Sequence, residues 1–154
     1  MVTIEEDVVE VNEAMRGLLK PGKRAAYVFA GKSLVTLRNP KTGARFTFRV
    51  TKAKETPTFK AKCFYVSVLN GPDNTRNYAY IGSVFEDKIL RTTKASKVKL
   101  DAPSAKAFAW FLRHPEETIF EAWHEGSCGR CGRPLTVPES IETGLGPICE
   151  VKTK

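Results

Sequence analysis

Hydrophobic and polar positions alternate along this chain with two periods, and the switch between them divides it. Over residues 4–19, Ile4, Val8, Val11, Met15, Leu18 and Leu19 recur at helical intervals, with Glu5, Glu6, Glu10 and Glu13 turned away from them. That spacing predicts an amphipathic helix with an acidic outer face. Thr3 suits its N-cap, Glu6 completes a capping box, and Pro21-Gly22 stops it.

From Lys32 the period becomes two. Segments 33–38 and 45–51 flank Asn39-Pro40-Lys41-Thr42-Gly43, which predicts a hairpin. In its second strand Phe46, Phe48 and Val50 alternate with Arg45, Thr47, Arg49 and Thr51, giving an apolar core face and a basic outer one. Segment 63–70 repeats the alternation, with Phe64, Val66 and Val68 inward and Tyr65 outward. Gly71-Pro72-Asp73-Asn74 turns into a fourth strand at 77–85, where Tyr78 and Tyr80 share the face opposite Ala79 and Ile81. Residues 90–99 suit a strand or a basic loop. Asp101-Ala102-Pro103-Ser104 starts a helix over 103–113 that ends before Pro115 and buries Phe108, Phe111 and Leu112. Residues 119–124 form a last strand that ends at His124. The predicted class is α+β: an antiparallel meander with an N-terminal and a central helix. Three parts follow from it: the helix 1–20, a β-rich body 21–122, and a module 123–154.

Charge sharpens that division. The 154 residues carry a formal net charge of +8, unevenly spread. Residues 1–20 hold two basic against five acidic groups, 21–100 hold seventeen against four, and 101–154 hold six against eight. A strongly basic body between acidic ends attracts polyanions, or serves only to keep the surface solvated. The opening residues are acidic and lack the apolar stretch of a secretory signal. The longest apolar run, at 107–112, is too short to span a bilayer. The expectation is a soluble cytoplasmic protein without a membrane partner.

The module carries the chemistry. His124-x3-Cys128-x2-Cys131-x17-Cys149 has the spacing of a tetrahedral zinc site, two thiolates on one tight turn and a third from a distant segment. Gly132 frees the turn to aim N–H groups at sulfur, and Pro147 suits the start of a short helix bearing Cys149. His124 is the favoured fourth ligand, with Cys63 as the alternative and His114 behind both. Disulfides and a redox pair are the competing readings of Cys-x2-Cys. We expect a closed structural Zn²⁺ site.

A second constellation points to nucleic acid. Tyr65, Tyr78 and Tyr80 with Arg45 and Arg49 make a stacking platform with phosphate partners if their face is open. If the helix 103–113 covers that face, they are packing residues. Lys60 and Lys62 extend the basic surface. Arg130 and Arg133, on the cysteine turn, can meet phosphate or pair with Glu139, Glu142 and Glu150. Catalytic patterns are thin. Asp73 with Glu86-Asp87-Lys88 matches a permissive metal-dependent nuclease pattern, which ranks third among the readings.

Trp123-His124-Glu125-Gly126, the run Cys128-Gly129-Arg130-Cys131-Gly132-Arg133-Pro134-Leu135-Thr136, and Pro138 to Pro147 together resemble a small cysteine-rich domain of unknown function. That domain occurs in bacteriophage and some bacterial proteins, and residues 42–47 and 71–74 are also similar to phage proteins of this size. The resemblance implies zinc on Cys128, Cys131, Cys149 and His124 and a phage origin, and it implies no activity. The expected function is therefore non-enzymatic: a zinc-stabilised phage protein that binds nucleic acid, single-stranded DNA favoured, in phage DNA metabolism or host takeover. The alternative is a protein-binding effector directed at a host enzyme or defence complex.

Overall fold

In the computed structural model, residues 17–54, 63–71, 77–124, 129–130 and 145 are described. Among these described residues six antiparallel strands form one sheet: β1 (Lys32–Arg38), β2 (Arg45–Lys52), β3 (Phe64–Leu69), β4 (Tyr78–Val84), β5 (Leu90–Arg91) and β6 (Glu121–His124). Their spatial order is β5-β4-β3-β2-β1-β6. The first four strands are the expected meander, and β5 extends it by one short strand. The last returns to the far edge and pairs with β1, Val35 opposite His124 and Arg38 opposite Glu121.

The β1–β2 hairpin closes through the turn at 39–44, with Asn39 N–H donating to Ala44 O at 2.8 Å and Lys41 N–H to Asn39 Oδ1 at 2.9 Å. Period-two alternation then sorts the strands. Val35, Phe48, Val50, Val66 and Ile81 are fully buried on one face. Against this face lies helix α2 (Pro103–Arg113), its Phe108 ring 4.9 Å from that of Phe48. Phe46, expected in the core, is partly buried at its margin. Burying each such side chain stabilises the fold by roughly 1.5–3 kcal/mol. Among the described residues no helix is long and apolar enough to cross a membrane.

Two expectations change at the N-terminal side. The amphipathic helix falls mostly outside the described residues, but its predicted last turn is not helical. Gly17 has φ +95°, Leu18 forms a bridge with Trp123, and Leu19 N–H donates to Ala122 O at 2.8 Å. Residues 17–19 therefore run antiparallel along β6. Beyond Pro21 the chain does not simply stop a helix. It starts one, a 3₁₀ turn (Pro21–Lys23) leading into α1 (Arg24–Val28), because proline is pre-organised for a first helical position. The ambiguous stretch 90–99 resolves into the two residues of β5 followed by loop.

Candidate nucleic-acid face and metal-ligand cluster

The sheet face opposite α2 carries the tyrosines. Pairing sets them side by side: Thr51 opposite Tyr65, Arg49 opposite Ser67, Ser67 opposite Tyr80, and Leu69 opposite Tyr78. A bulge at Val66/Ser67 offsets β4, yet both of its tyrosines keep the outer face. Helix α2 packs on Phe48 and so lies on the other side of the sheet; it does not cover them. Tyr65 is 43% exposed, and Tyr78, Tyr80 and Arg49 are half-buried.

Their contacts make a patch. The Tyr65 and Tyr80 rings meet edge to face at 6.2 Å, and the Arg49 guanidinium lies 4.3 Å over the Tyr78 ring. Stacking the cation on the ring holds it above the sheet with little rotamer freedom. Burial pushes the Tyr80 phenol up from its ordinary value. Arg45 is exposed at the strand end, opposite Arg38. Arg38 is engaged by Glu121 at 2.8 Å, and the Trp123 indole N–H reaches the same carboxylate at 3.3 Å. Lys60, Lys62 and Arg133 lie outside the described residues. Arg130 is half-buried beside Gly31, at the start of β1, where its carbonyl would lie 3.5 Å from a Cβ added there.

The metal-ligand candidates divide in the same way. Cys128, Cys131 and Cys149 lie outside the described residues. Among the described residues no three His, Cys, Asp or Glu side chains gather. His124 closes β6 and is buried, its backbone N–H donating to Gly17 O at 2.7 Å and its ring 5.7 Å from that of Tyr27. Gly129 lies against the same tyrosine, and its carbonyl accepts from Lys32 N–H at 2.6 Å. So His124 and the turn between Cys128 and Cys131 approach one ring of the body.

Cys63 cannot join His124 on one ion. From His124 the pairing runs through Val35 and Phe48 to Val68, three strand spacings or about 14 Å, and Cys63 is five residues farther along, about 17 Å. Donor atoms sharing a tetrahedral zinc sit within roughly 4 Å of one another. Burial pushes the Cys63 thiol up, as for a small core residue. His114 is exposed, its ring 4.7 Å from that of Trp110.

Of the acid-rich nuclease pattern, Asp73 lies outside the described residues. Asp87 holds Arg91 through two contacts, 3.1 and 2.6 Å, and Lys88, at φ +58°, places its ammonium 3.8 Å over Phe29.

Sequence reasoning missed Arg24. Its buried guanidinium donates to Pro115 O, Glu117 O and Phe120 O at 3.2, 2.6 and 3.0 Å and covers the Phe120 ring at 4.3 Å. Desolvation lowers its pKa, partly offset by Glu121. Nothing in Lys23-Arg24 distinguishes this arginine from a surface one.

Residues 120–153 match the model of a family of unknown function, DUF6011. The match opens beside β6 and takes in His124 and all three cysteines of the motif, leaving the tyrosine face outside it. No curated protein and no solved structure matches the chain.

Proposed function

We propose that this chain is a non-enzymatic nucleic-acid-binding protein of phage origin that lays single-stranded DNA across the tyrosine face of its sheet. It would act in phage DNA metabolism or host takeover. One observation carries the reading: Tyr65, Tyr78, Tyr80 and Arg49 stand together on the face that α2 leaves free. Aromatic rings accept any base, and stacking contributes about 1–3 kcal/mol per base. Arginines and lysines around the patch meet phosphates, which adds affinity without sequence preference. Unpaired bases suit the site better than duplex, because only they expose both faces for stacking.

Zinc completes this proposal as a structural element. His124, Cys128, Cys131 and Cys149 would hold it, and the ion would supply a cross-link that folds the C-terminal segment. Support comes from the spacing of the four residues and from the burial of His124 next to the body residues that receive Gly129.

The test is a salt titration of binding to single-stranded DNA, duplex DNA and RNA. The reading expects single-stranded DNA to bind tightest and affinity to fall steeply as salt rises. Affinity insensitive to salt would overturn it.

A second reading, a protein-binding effector, rests on a different feature. An open apolar groove of about 320 Å³ is lined by Leu37, Phe46, Trp110, Phe111, Ile119 and Phe120. Retention of a host protein after nuclease treatment, lost on Trp110→Ser, would favour it.

A further inference from the structure

Tyr27 is fully buried in α1, and two hydrogen bonds to one residue immobilise its hydroxyl. It donates to Leu34 O at 2.8 Å and accepts from Leu34 N–H at 3.1 Å. The ring between these anchors and the backbone therefore has one orientation. Two parts of the cysteine motif meet it. The His124 ring lies 5.7 Å from it, tilted by 41°. Gly129, the residue after Cys128 in sequence, lies so close that an added methyl would come within 2.7 Å of Tyr27 Cδ1 and 2.8 Å of both Cε1 and the Tyr27 carbonyl oxygen. Only glycine fits that gap. Just beyond the ring, Lys32 N–H holds the Gly129 carbonyl at 2.6 Å, and the Arg130 carbonyl passes over Gly31.

We infer that Tyr27 is the positioning residue of the candidate metal site, seating Gly129 and Arg130, the two residues between Cys128 and Cys131 in sequence, beside the start of β1 and fixing the setting of His124. The inference rests on the zinc reading above and deepens it. A ring already locked by Leu34 presents a rigid seat, so the ligands lose less freedom when the ion arrives. The same contacts run in reverse: a bound ion that orders the turn also tightens the Tyr27–Leu34 segment, since coupling between two sites is reciprocal. Metal occupancy is thereby felt in the β-sheet body and not only in the tail.

The experiment uses the full chain and zinc titrated against a chromophoric chelator. Gly129→Ala should weaken zinc binding about 10- to 100-fold, the range for loss of a group that orients a ligand. Tyr27→Phe, which keeps the ring, should stay closer to wild type. Because Gly129→Ala can also impair folding, amide exchange on wild type provides a second measurement. Stripping the metal should speed exchange at Lys32 and Leu34 at least tenfold and leave β3 and β4 unchanged. Wild type that binds zinc with unaltered exchange at those amides overturns the coupling alone. Wild type that binds no zinc overturns the metal reading and the coupling with it.

Discussion

On one face of the sheet Val35, Phe48, Val50, Val66 and Ile81 are buried, with α2 packed on Phe48. On the other, their sequence neighbours Thr36, Thr47, Arg49, Tyr65 and Tyr80 form a band of hydroxyls, a guanidinium and phenol rings. The strands are shared, and only the parity of the position differs. What the difference teaches is where each kind of energy resides. The covered face holds the fold by apolar burial, and the tyrosine face leaves large rings partly in water at some cost in stability. The stacked Arg49 and the edge-to-face Tyr65–Tyr80 pair are what the binding proposal rests on.

Breaking the covered face should have the largest effect. Phe108→Ala empties the contact between α2 and Phe48 and should cost about 3–5 kcal/mol in urea unfolding, with DNA affinity unchanged wherever the protein remains folded. Next comes Arg24→Ala, which leaves three carbonyls before β6 without a donor and should cost about 3 kcal/mol by the same measurement. On the tyrosine face the pattern inverts. Tyr65→Ala should move stability by only about 0.5 kcal/mol, as for a surface change, while weakening single-stranded DNA binding by about 1–3 kcal/mol in fluorescence anisotropy. An equal loss in both assays would merge the two faces and refute the distinction.

The smallest effect lies at the β5 edge. Hydrogen bonds from Arg91 hold the Asp87 carboxyl below its ordinary range. A depressed folded pKa contributes stability above the unfolded value, and that contribution is lost as pH falls through the folded one. Acid titration should therefore show a slight extra loss of stability below about pH 4, absent in Asp87→Asn.

Much of the division between faces was legible in the alternation itself. Phe48 and Val50 against Arg49, and Val66 against Tyr65, sort correctly because period two is local and each strand carries several turns of it. Helix α2 announced itself through Pro103 and the spacing of Phe108, Phe111 and Leu112. Other features had no local signal. The five residues of α1 are too few to display a helical period, and β5 has only two. The place of β6 beside β1 depends on pairing across more than eighty residues. Arg24 acquires its role only when three distant carbonyls converge on it. For the candidate metal site, spacing named the candidate ligands, while the strand order adds only that Cys63 and His124 do not share one ion. Tyr27, the seat for Gly129, lies a hundred residues from the cysteines and carries no pattern that links it to them.

The most direct measurement is a residue-resolved NMR titration with a short single-stranded oligonucleotide. Shifts concentrated at Arg49, Tyr65, Tyr78 and Tyr80, with α2 silent, are the predicted result. Shifts confined to α2 and the Trp110 groove, or none at saturating oligonucleotide, would contradict the assignment of the tyrosine face to nucleic acid.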